Sequence, residues 1–207
     1  MIKKIRIELI LFTILTISIF FSYSIDLWIN NFFSKINYGY GEEYLIQFFK
    51  KITHIGNSLW YFLITIIGLV LFHFFIKNNK YEYLKKLCIF SLSYLLCVGF
   101  FTQLLKHIIG RPRPNYTNLE DNIVFNFFST DAIFHSFPSG HTSTIISVTI
   151  IFCMIIPSLK NFFYICGFLI AVSRVVTGAH FLTDVVGGTL LAIIIFKILK
   201  LYFKKQI

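Results

Sequence analysis

Six long apolar runs constrain this chain more than any other feature of its sequence. They cover residues 7–25, 59–76, 87–109, 142–156, 162–176 and 181–199. A bilayer offers no water to its interior, so a crossing segment must satisfy its own backbone hydrogen bonds, as an α-helix does. About 20 apolar residues are enough for one crossing. We therefore predict an all-α, polytopic membrane protein, a six-transmembrane-helix bundle that forms a single domain over residues 1–207.

Composition and charge placement agree with a membrane protein and exclude a nucleic-acid partner. The chain is 57% hydrophobic and only 14% charged. Its 19 Lys and Arg exceed its 9 Asp and Glu, but the basic residues cluster beside apolar runs, at 3–6, 77–86 and 197–205. Such clusters mark the cytoplasmic side of membrane spans and contact anionic lipids. Both termini are therefore predicted to be cytoplasmic.

The first quarter of the chain leaves two points open. A basic start, an apolar core and small residues at Ser22 and Ser24 also fit a cleavable signal peptide, whose removal would leave five spans. A more polar stretch, 26–57, follows, and its aromatic residues fit a helix that lies along the membrane surface. These aromatic residues are Trp28, Phe32, Phe33, Phe48 and Phe49.

Three fragments of the second half carry nearly all of the polar chemistry. They are Lys106 with Arg113-Pro114, then Pro138-Ser139-Gly140-His141, then Ser173-Arg174 with His180 and Asp184. Charges near lipid are expensive, so a purely structural bundle gains nothing from them. With cytoplasmic termini, the third and fifth spans end, and the fourth and sixth begin, on the outer side. The motif-bearing core, 87–199, is therefore predicted to place all three fragments at the extracytoplasmic interface.

His180 and Asp184 are four residues apart at the start of a predicted helix and so share one face. The Asp184 carboxylate can accept the Nδ1–H of His180, which leaves Nε2 as a nucleophile toward phosphorus. Two structural alternatives stay open for this pair. It can be a buried His–Asp pair that stabilises the bundle, or it can supply two metal ligands.

The basic side chains of the three fragments are suited to binding phosphate oxygens. Arginine offers a planar fork of donors and lysine a point charge, so Lys106, Arg113 and Arg174 are candidates for binding phosphate. Any one of them, taken alone, can instead be a residue that extends to the membrane interface. For Arg111 we favour that interpretation or a supporting role, because Arg113 has the better spacing.

The Pro-Ser-Gly-His fragment opens the fourth span. Ser139 suits a helix cap, Gly140 permits close approach of a ligand, and a helix N-terminus attracts anions. His141 is then placed to protonate a leaving oxygen as a general acid. The alternative is an ordinary helix cap followed by an interfacial histidine.

These fragments match the pattern K-x6-RP, PSGH and SR-x5-H-x3-D, and the chain resembles the type 2 phosphatidic acid phosphatase superfamily, in its bacterial membrane lipid phosphatase branch. The resemblance implies a metal-independent, two-step hydrolysis without a cofactor. His180 would form a phosphohistidine, with Asp184 supporting it and His141 protonating the leaving group. The implied phosphate-binding residues are Lys106, Arg113, Ser139, Gly140 and Arg174.

The predicted function is hydrolysis of a phosphomonoester or diphosphate of a membrane lipid at the outer face of the bacterial inner membrane. The family's substrates include phosphatidylglycerophosphate, phosphatidic acid, undecaprenyl diphosphate and lipid A phosphates, and this sequence does not separate them. Three alternatives stay open. An alcohol can attack the same phosphohistidine, giving a phosphotransferase. A vanadate-binding haloperoxidase shares the anion pocket in the wider superfamily, although the six spans disfavour it. A transporter or structural bundle would tolerate replacement of His180.

Overall fold

The computed structural model describes residues 2–21, 24–38, 43–75, 81–116 and 124–203, and within these ranges the chain is helical with no strand. This confirms the predicted all-α class. The α-helices of the described ranges are α1 (Ile2–Phe21), α2 (Ser24–Tyr38), α3 (Glu43–Thr53), α4 (Ser58–Val70), α5 (Glu82–Ile109), α6 (Gly140–Ile155), α7 (Lys160–Val176) and α8 (Leu182–Tyr202). Short 3-10 turns occur at His54–Gly56, Pro114–Tyr116, Ala132–Phe134 and Pro157–Leu159, and a π-helical turn at Leu71–Phe75 extends α4.

Within the described ranges, four helical units are long and apolar enough to cross a membrane by length and composition. They are Ile46–Phe74, Glu82–Tyr116, Pro157–Val176 and Leu182–Tyr202. The pair Leu9–Ile19 and Ser24–Ile36 is a fifth candidate, bent by 74°. Helix α6 is apolar too, but its 16 residues fall short of the ~20 of an ordinary span. The number of six spans therefore stays a prediction.

The predicted runs and the observed helices agree most closely in the second half of the chain. The predicted runs 87–109 and 181–199 correspond to α5 and α8. Helix α5 begins earlier than predicted because its first turns carry charged residues, among them Glu82 and Lys86, which pair at 4.0 Å. Within the polar stretch 26–57, the described residues form most of α2 and all of α3, and a 3-10 turn follows α3.

Helix α6 is the centre of the bundle, because it packs against α5, α7 and α8. Its buried face is rich in small hydroxyl side chains, including Ser143, Ser147 and Thr149. Helix α7 approaches it closely at Gly167, where a Cβ atom would lie 2.3 Å from Thr149 Oγ1. Small residues at such crossings allow helices in membranes to pack tightly. The ends of the four helices are thereby held close together, which is what positions the site.

The remaining helices cover this centre from outside. Helix α1 packs against α8, α3 against α7, α4 against α5, and α2 against both α7 and α8. One long-range hydrogen bond joins α5 to α8 inside the bundle, from the Tyr94 hydroxyl to the Ala192 carbonyl oxygen at 2.7 Å. Many large apolar side chains of the outer helices, such as Ile14 and Ile64, are exposed, as expected of a surface that faces lipid.

Candidate active site

The three sequence fragments meet at one end of the bundle. Lys106 lies in the last turn of α5 and Arg174 in the last turn of α7, while His141 and Asp184 lie in the first turns of α6 and α8. His180 lies two residues before the first residue of α8, Leu182, and thus just outside the helix in which the sequence predicted it. Two contacts tie the loop before α6 to α8: the Ser139 amide donates to the Asp184 carbonyl oxygen at 3.0 Å, and the Ser136 hydroxyl donates to its carboxylate.

Asp184 is fully buried and its carboxylate is held from several sides. Oδ1 accepts a hydrogen bond from Arg111 Nη1 at 2.6 Å. Oδ2 accepts from the Ser136 hydroxyl at 2.5 Å and from the Phe181 amide at 2.9 Å, which caps the start of α8. A carboxylate with this many donors stays ionised and keeps one orientation. It can therefore orient a neighbouring histidine.

His180 is that neighbour, and only 3% of it is exposed. Its Nδ1 lies 3.5 Å from Asp184 Oδ2 and makes no hydrogen bond to any described residue. The predicted pair is thus brought together with the expected atoms facing each other, but at a distance longer than a well-formed hydrogen bond. Catalytic hydrogen bonds are often long before a substrate binds. Among the described residues, no group of three His, Cys, Asp or Glu side chains is placed to hold a metal ion.

Burial sets the charge state of His180. Removal from water lowers its pKa to about 3, with nearby Lys106 and Arg174 acting in the same direction and the Asp184 carboxylate opposing them. The imidazole is therefore neutral at pH 7. A neutral imidazole has the free electron pair that a nucleophile needs.

Two of the predicted cations, Lys106 and Arg174, interact electrostatically with His180, and the third, Arg113, interacts with both of them. Lys106 is buried, and its Nζ donates to the His135 carbonyl oxygen at 3.0 Å. Arg174 Nη1 donates to Thr53 Oγ1 at 2.7 Å, and Arg113 Nε donates to the Ala132 carbonyl oxygen at 3.1 Å.

Electrostatic interactions connect Lys106 with Arg113, Arg174 and Asp184, and connect His141 with all three cations. Like charges held together in a partly buried site favour binding of an anion.

The start of α6 lies beside Lys106 and is hydrogen-bonded to α8. Ser139 is the N-cap, and its hydroxyl oxygen accepts hydrogen bonds from the amide and the hydroxyl of Thr142 at 3.4 and 3.0 Å. A Cβ atom at Gly140 would lie 3.9 Å from Lys106 Nζ, so the glycine keeps space open beside the ammonium group. A Cβ atom at Gly56 would lie 3.3 Å from His141 Cδ2, so the turn at Gly56 passes close to the His141 ring.

Gly188 permits the close approach of α8 to the start of α6. A Cβ atom there would lie 2.6 Å from the Ser139 carbonyl oxygen, a backbone atom that cannot rotate away. We expect Gly188→Ala to lower the free energy of unfolding by about 1–3 kcal/mol through overpacking, and to lower activity by displacing Ser139. Thermal unfolding in detergent measures the first effect.

Gly99 offers a matched control for Gly188, since it also lies within a helix but a Cβ atom there meets nothing within 4 Å. Gly99→Ala is expected to leave activity unchanged and to raise stability by up to about 1 kcal/mol, because alanine favours helix. Equal melting temperatures for the two variants would contradict the packing argument.

Sequence reasoning missed two residues of this site, Asp26 and Thr183, and left Arg111 undecided. Arg111 is fully buried, with its guanidinium 4.4 Å over the Phe181 ring. The interfacial interpretation is therefore wrong for Arg111, and the supporting role fits. The signal that marks Asp26 is its position as a single acid directly after an apolar run, where an unpaired carboxylate is costly.

Fold and site together define an all-helical membrane protein with a buried, cationic site where the ends of α5 to α8 meet. The chain belongs to the PAP2 superfamily, whose family model matches residues 86–207 and thus every motif residue. The predicted resemblance is confirmed.

Curated relatives of this chain are lipid phosphatases by name. A lipid A 1-phosphatase from Rhizobium etli is 29% identical over 146 residues, covering 67% of this chain and 63% of the relative. Another, from Rhizobium johnstonii, is 36% identical over 115 residues, covering 51% of this chain and 46% of the relative. This chain thus spans less than two thirds of either. Phosphatidylglycerophosphatase B from Bacillus subtilis is 32% identical over 176 residues, covering 79% of this chain and 78% of the relative.

Two crystal structures share the fold. The first transmembrane PAP2 type phosphatidylglycerolphosphate phosphatase from Bacillus subtilis superposes with a TM-score of 0.72 at 23% identity, covering 98% of this chain and 96% of that one. Aquifex aeolicus LpxE gives a TM-score of 0.58 at 25% identity, covering 86% of this chain and 93% of that one. The first match extends the fold likeness to the N-terminal half, which carries no motif.

Proposed function

We propose that this protein is an integral membrane lipid phosphatase that hydrolyses a phosphomonoester or diphosphate of a membrane lipid through a phosphohistidine. One observation carries the proposal: a buried, neutral His180 faces the oriented carboxylate of Asp184 beside a cluster of three cations, two of which interact with His180. The names of the relatives, lipid A 1-phosphatase and phosphatidylglycerophosphatase B, support a lipid phosphate as the substrate.

In the first proposed step, the electron pair of His180 Nε2 forms a bond to phosphorus while the bond from phosphorus to the leaving oxygen breaks. His141 gives its proton to that oxygen as a general acid. Positive charge develops on the His180 ring during the attack, and the Asp184 carboxylate beside Nδ1 stabilises it. The products are the dephosphorylated lipid and a phosphohistidine.

In the second step, water attacks the phosphohistidine. Its oxygen bonds to phosphorus, its proton passes to His141, and the electron pair of the broken P–N bond returns to Nε2 of His180. Phosphate is released and both histidines regain their starting states. An alcohol in place of water would give a phosphotransferase by the same route, so the products distinguish the two activities.

The three cations perform the electrostatic part of both steps. Lys106, Arg113 and Arg174 would hold the phosphate oxygens and neutralise the charge that develops on them in the transition state. At the start of α6, the Gly140 amide and the Ser139 hydroxyl would add donors for the same anion. Because protein cations supply this charge, we propose that the reaction needs no metal ion and no cofactor.

The proposed setting is the cytoplasmic membrane of a bacterium, with both termini inside and the site open to the outside. Basic clusters at 3–6, 77–86 and 197–205 support this orientation. A site where helix ends meet lies near the bilayer interface, where the phosphate of a lipid is found. The partners are then the lipid substrate and the bilayer itself.

The lowered pKa of His180 gives a pH prediction. An unfolded chain binds a proton at histidine near pH ~6.5, whereas folded His180 does so only near pH 3. Between these values the unfolded state binds more protons, so the contribution of His180 to stability is full above the upper value and is lost as pH falls toward the lower. We expect the melting temperature of the parent to fall more steeply below pH 6.5 than that of His180→Asn. Parallel curves would contradict the neutral state of His180.

The function is tested by phosphate release from detergent-purified protein. A panel of lipid monophosphates and diphosphates is assayed with and without chelator, and the lipid product is analysed for transfer to an added alcohol. Release of phosphate from one lipid class, unchanged by chelator, is the expected result. No release from any lipid, or release only when a metal is restored, would overturn the proposed function or its metal independence respectively.

A further inference from the structure

Asp26, Arg111 and Asp184 form a chain of two ion pairs in the interior of the protein. Arg111 Nη2 lies 2.7 Å from Asp26 Oδ2, and Arg111 Nη1 lies 2.6 Å from Asp184 Oδ1. The three side chains are at most 1% exposed. One guanidinium between two carboxylates leaves a net charge of −1 in a low-dielectric environment. The Asp184 carboxylate at one end of these ion pairs lies beside His180, with Oδ2 3.5 Å from Nδ1.

Asp26, at the other end of the two ion pairs, is also hydrogen-bonded to α8. Its Oδ1 accepts a hydrogen bond from the Thr183 amide at 3.0 Å, and its Oδ2 accepts one from the Thr183 hydroxyl. That hydroxyl also accepts from Arg111 Nη1 at 2.7 Å. Asp26 is therefore a helix cap supplied by α2, 157 residues away in sequence.

We propose that Asp26 is a positioning residue for His180, acting through Arg111 and Asp184. Asp26 holds the guanidinium that orients Asp184, and its charge keeps Arg111 from neutralising Asp184 completely. The excess negative charge then stabilises the ring of His180 as it becomes positive during attack on phosphorus. The kinetic part of this inference rests on the proposed function, and the geometric part does not.

A purely structural role would have different consequences. If Asp26 only caps α8, its loss lowers the melting temperature but leaves the folded protein with parental turnover and an unaltered imidazole. A positioning role changes the turnover number and the electronic state of His180 well below the melting temperature. The nitrogen signals of the imidazole in NMR report that state without any substrate.

The test compares Asp26→Asn, which keeps shape and removes charge, with Asp26→Glu, which keeps charge and shifts it. Asp131→Asn is the matched control, because Asp131 is an exposed carboxylate that likewise accepts from a backbone amide, that of Ile133 at 3.0 Å. Protein labelled with ¹⁵N-histidine is prepared for each, and the His180 signals are assigned by their loss in His180→Ala. Turnover and KM are measured on the lipid phosphate that the parent cleaves best.

We expect Asp26→Asn to lower kcat by about 10–100-fold, as loss of an outer partner of a functional histidine commonly does, while KM changes by less than about threefold. The His180 nitrogen signals shift, Asp26→Glu gives intermediate values, and Asp131→Asn matches the parent. If the parent has no activity but the signals still shift, the positioning role stands and the proposed function fails. Parental kcat and signals in whichever of the two Asp26 variants folds would overturn the inference.

Discussion

Replacing His180 with alanine is expected to lower phosphate release by on the order of 10⁴-fold or more, the scale of losing a nucleophile in a hydrolase that forms a covalent intermediate. No neighbour can replace it. Lys106 and Arg174 donate to the His135 carbonyl oxygen and to Thr53 Oγ1. Asp184 is occupied by Arg111, Ser136 and the Phe181 amide, and His141 starts a different helix. Substrate binding should change little, because all three cations remain.

The measurement is kcat and KM of the purified variant, together with trapping of the enzyme after brief exposure to a ³²P-labelled substrate. Parent protein is expected to retain a label that acid removes and base does not, as a P–N bond requires, and His180→Ala to retain none. His73→Ala is the control, since His73 is an exposed histidine in the π-helical turn after α4. A His180→Ala protein with more than a tenth of the parental rate would refute the phosphohistidine.

The sequence was sufficient to predict those features that depend on local pattern. Helices α5, α7 and α8 follow from apolar runs of sufficient length, because a backbone in lipid has few other ways to satisfy its hydrogen bonds. The meeting of the motifs could be predicted from the basic clusters and the predicted spans, because each motif lies at the end of a predicted span and alternate span ends lie on one side. The structure brings Lys106, His141, Arg174, His180 and Asp184 together as that argument requires.

The pairing of Asp26 with Arg111 could not be predicted from the sequence. Asp26 lies 85 residues before Arg111, and no periodicity or spacing relates the two. The stretch that contains Asp26 resembles a surface helix because its polar residues are mixed with aromatic ones. Only the three-dimensional structure shows that the acid points inward, where an arginine pairs with it. The rule that an acid beside lipid needs a partner would have marked Asp26, but not named that partner.

The length of α6 shows, for a physical reason, why a length criterion for membrane spans does not apply to a central helix. Its 16 residues extend roughly 24 Å at 1.5 Å per residue, less than the ~30 Å hydrocarbon core. Helices α5, α7 and α8 surround it, so its ends meet protein rather than lipid. A central helix can therefore be short, and a length threshold derived from lipid-facing helices does not decide whether it crosses.

Arg111→Met is expected to have the largest effect on stability, lowering the free energy of unfolding by about 3–5 kcal/mol. Methionine fills much of the space but leaves Asp26 and Asp184 buried with like charge and no counter-ion. Activity should fall together with stability, because Asp184 loses the donor that orients Oδ1. Thermal unfolding in detergent measures the effect, and Arg6→Met, at an exposed arginine of α1, controls for loss of a positive charge.

The double variant Asp26→Asn with Arg111→Met separates charge balance from packing. Residues in one ion-pair network are not additive, because the second change removes the repulsion that the first exposed. The double variant should therefore melt above Arg111→Met alone, although it also loses the hydrogen bond that Asp26 Oδ2 accepts from the Thr183 hydroxyl. In the double variant Asp184 is the remaining charged group of the two ion pairs, so their net charge is again −1, as in the parent. If the double variant instead melts below Arg111→Met by the full effect of Asp26→Asn, the two ion pairs are independent, and Asp26 cannot act on His180 through Arg111.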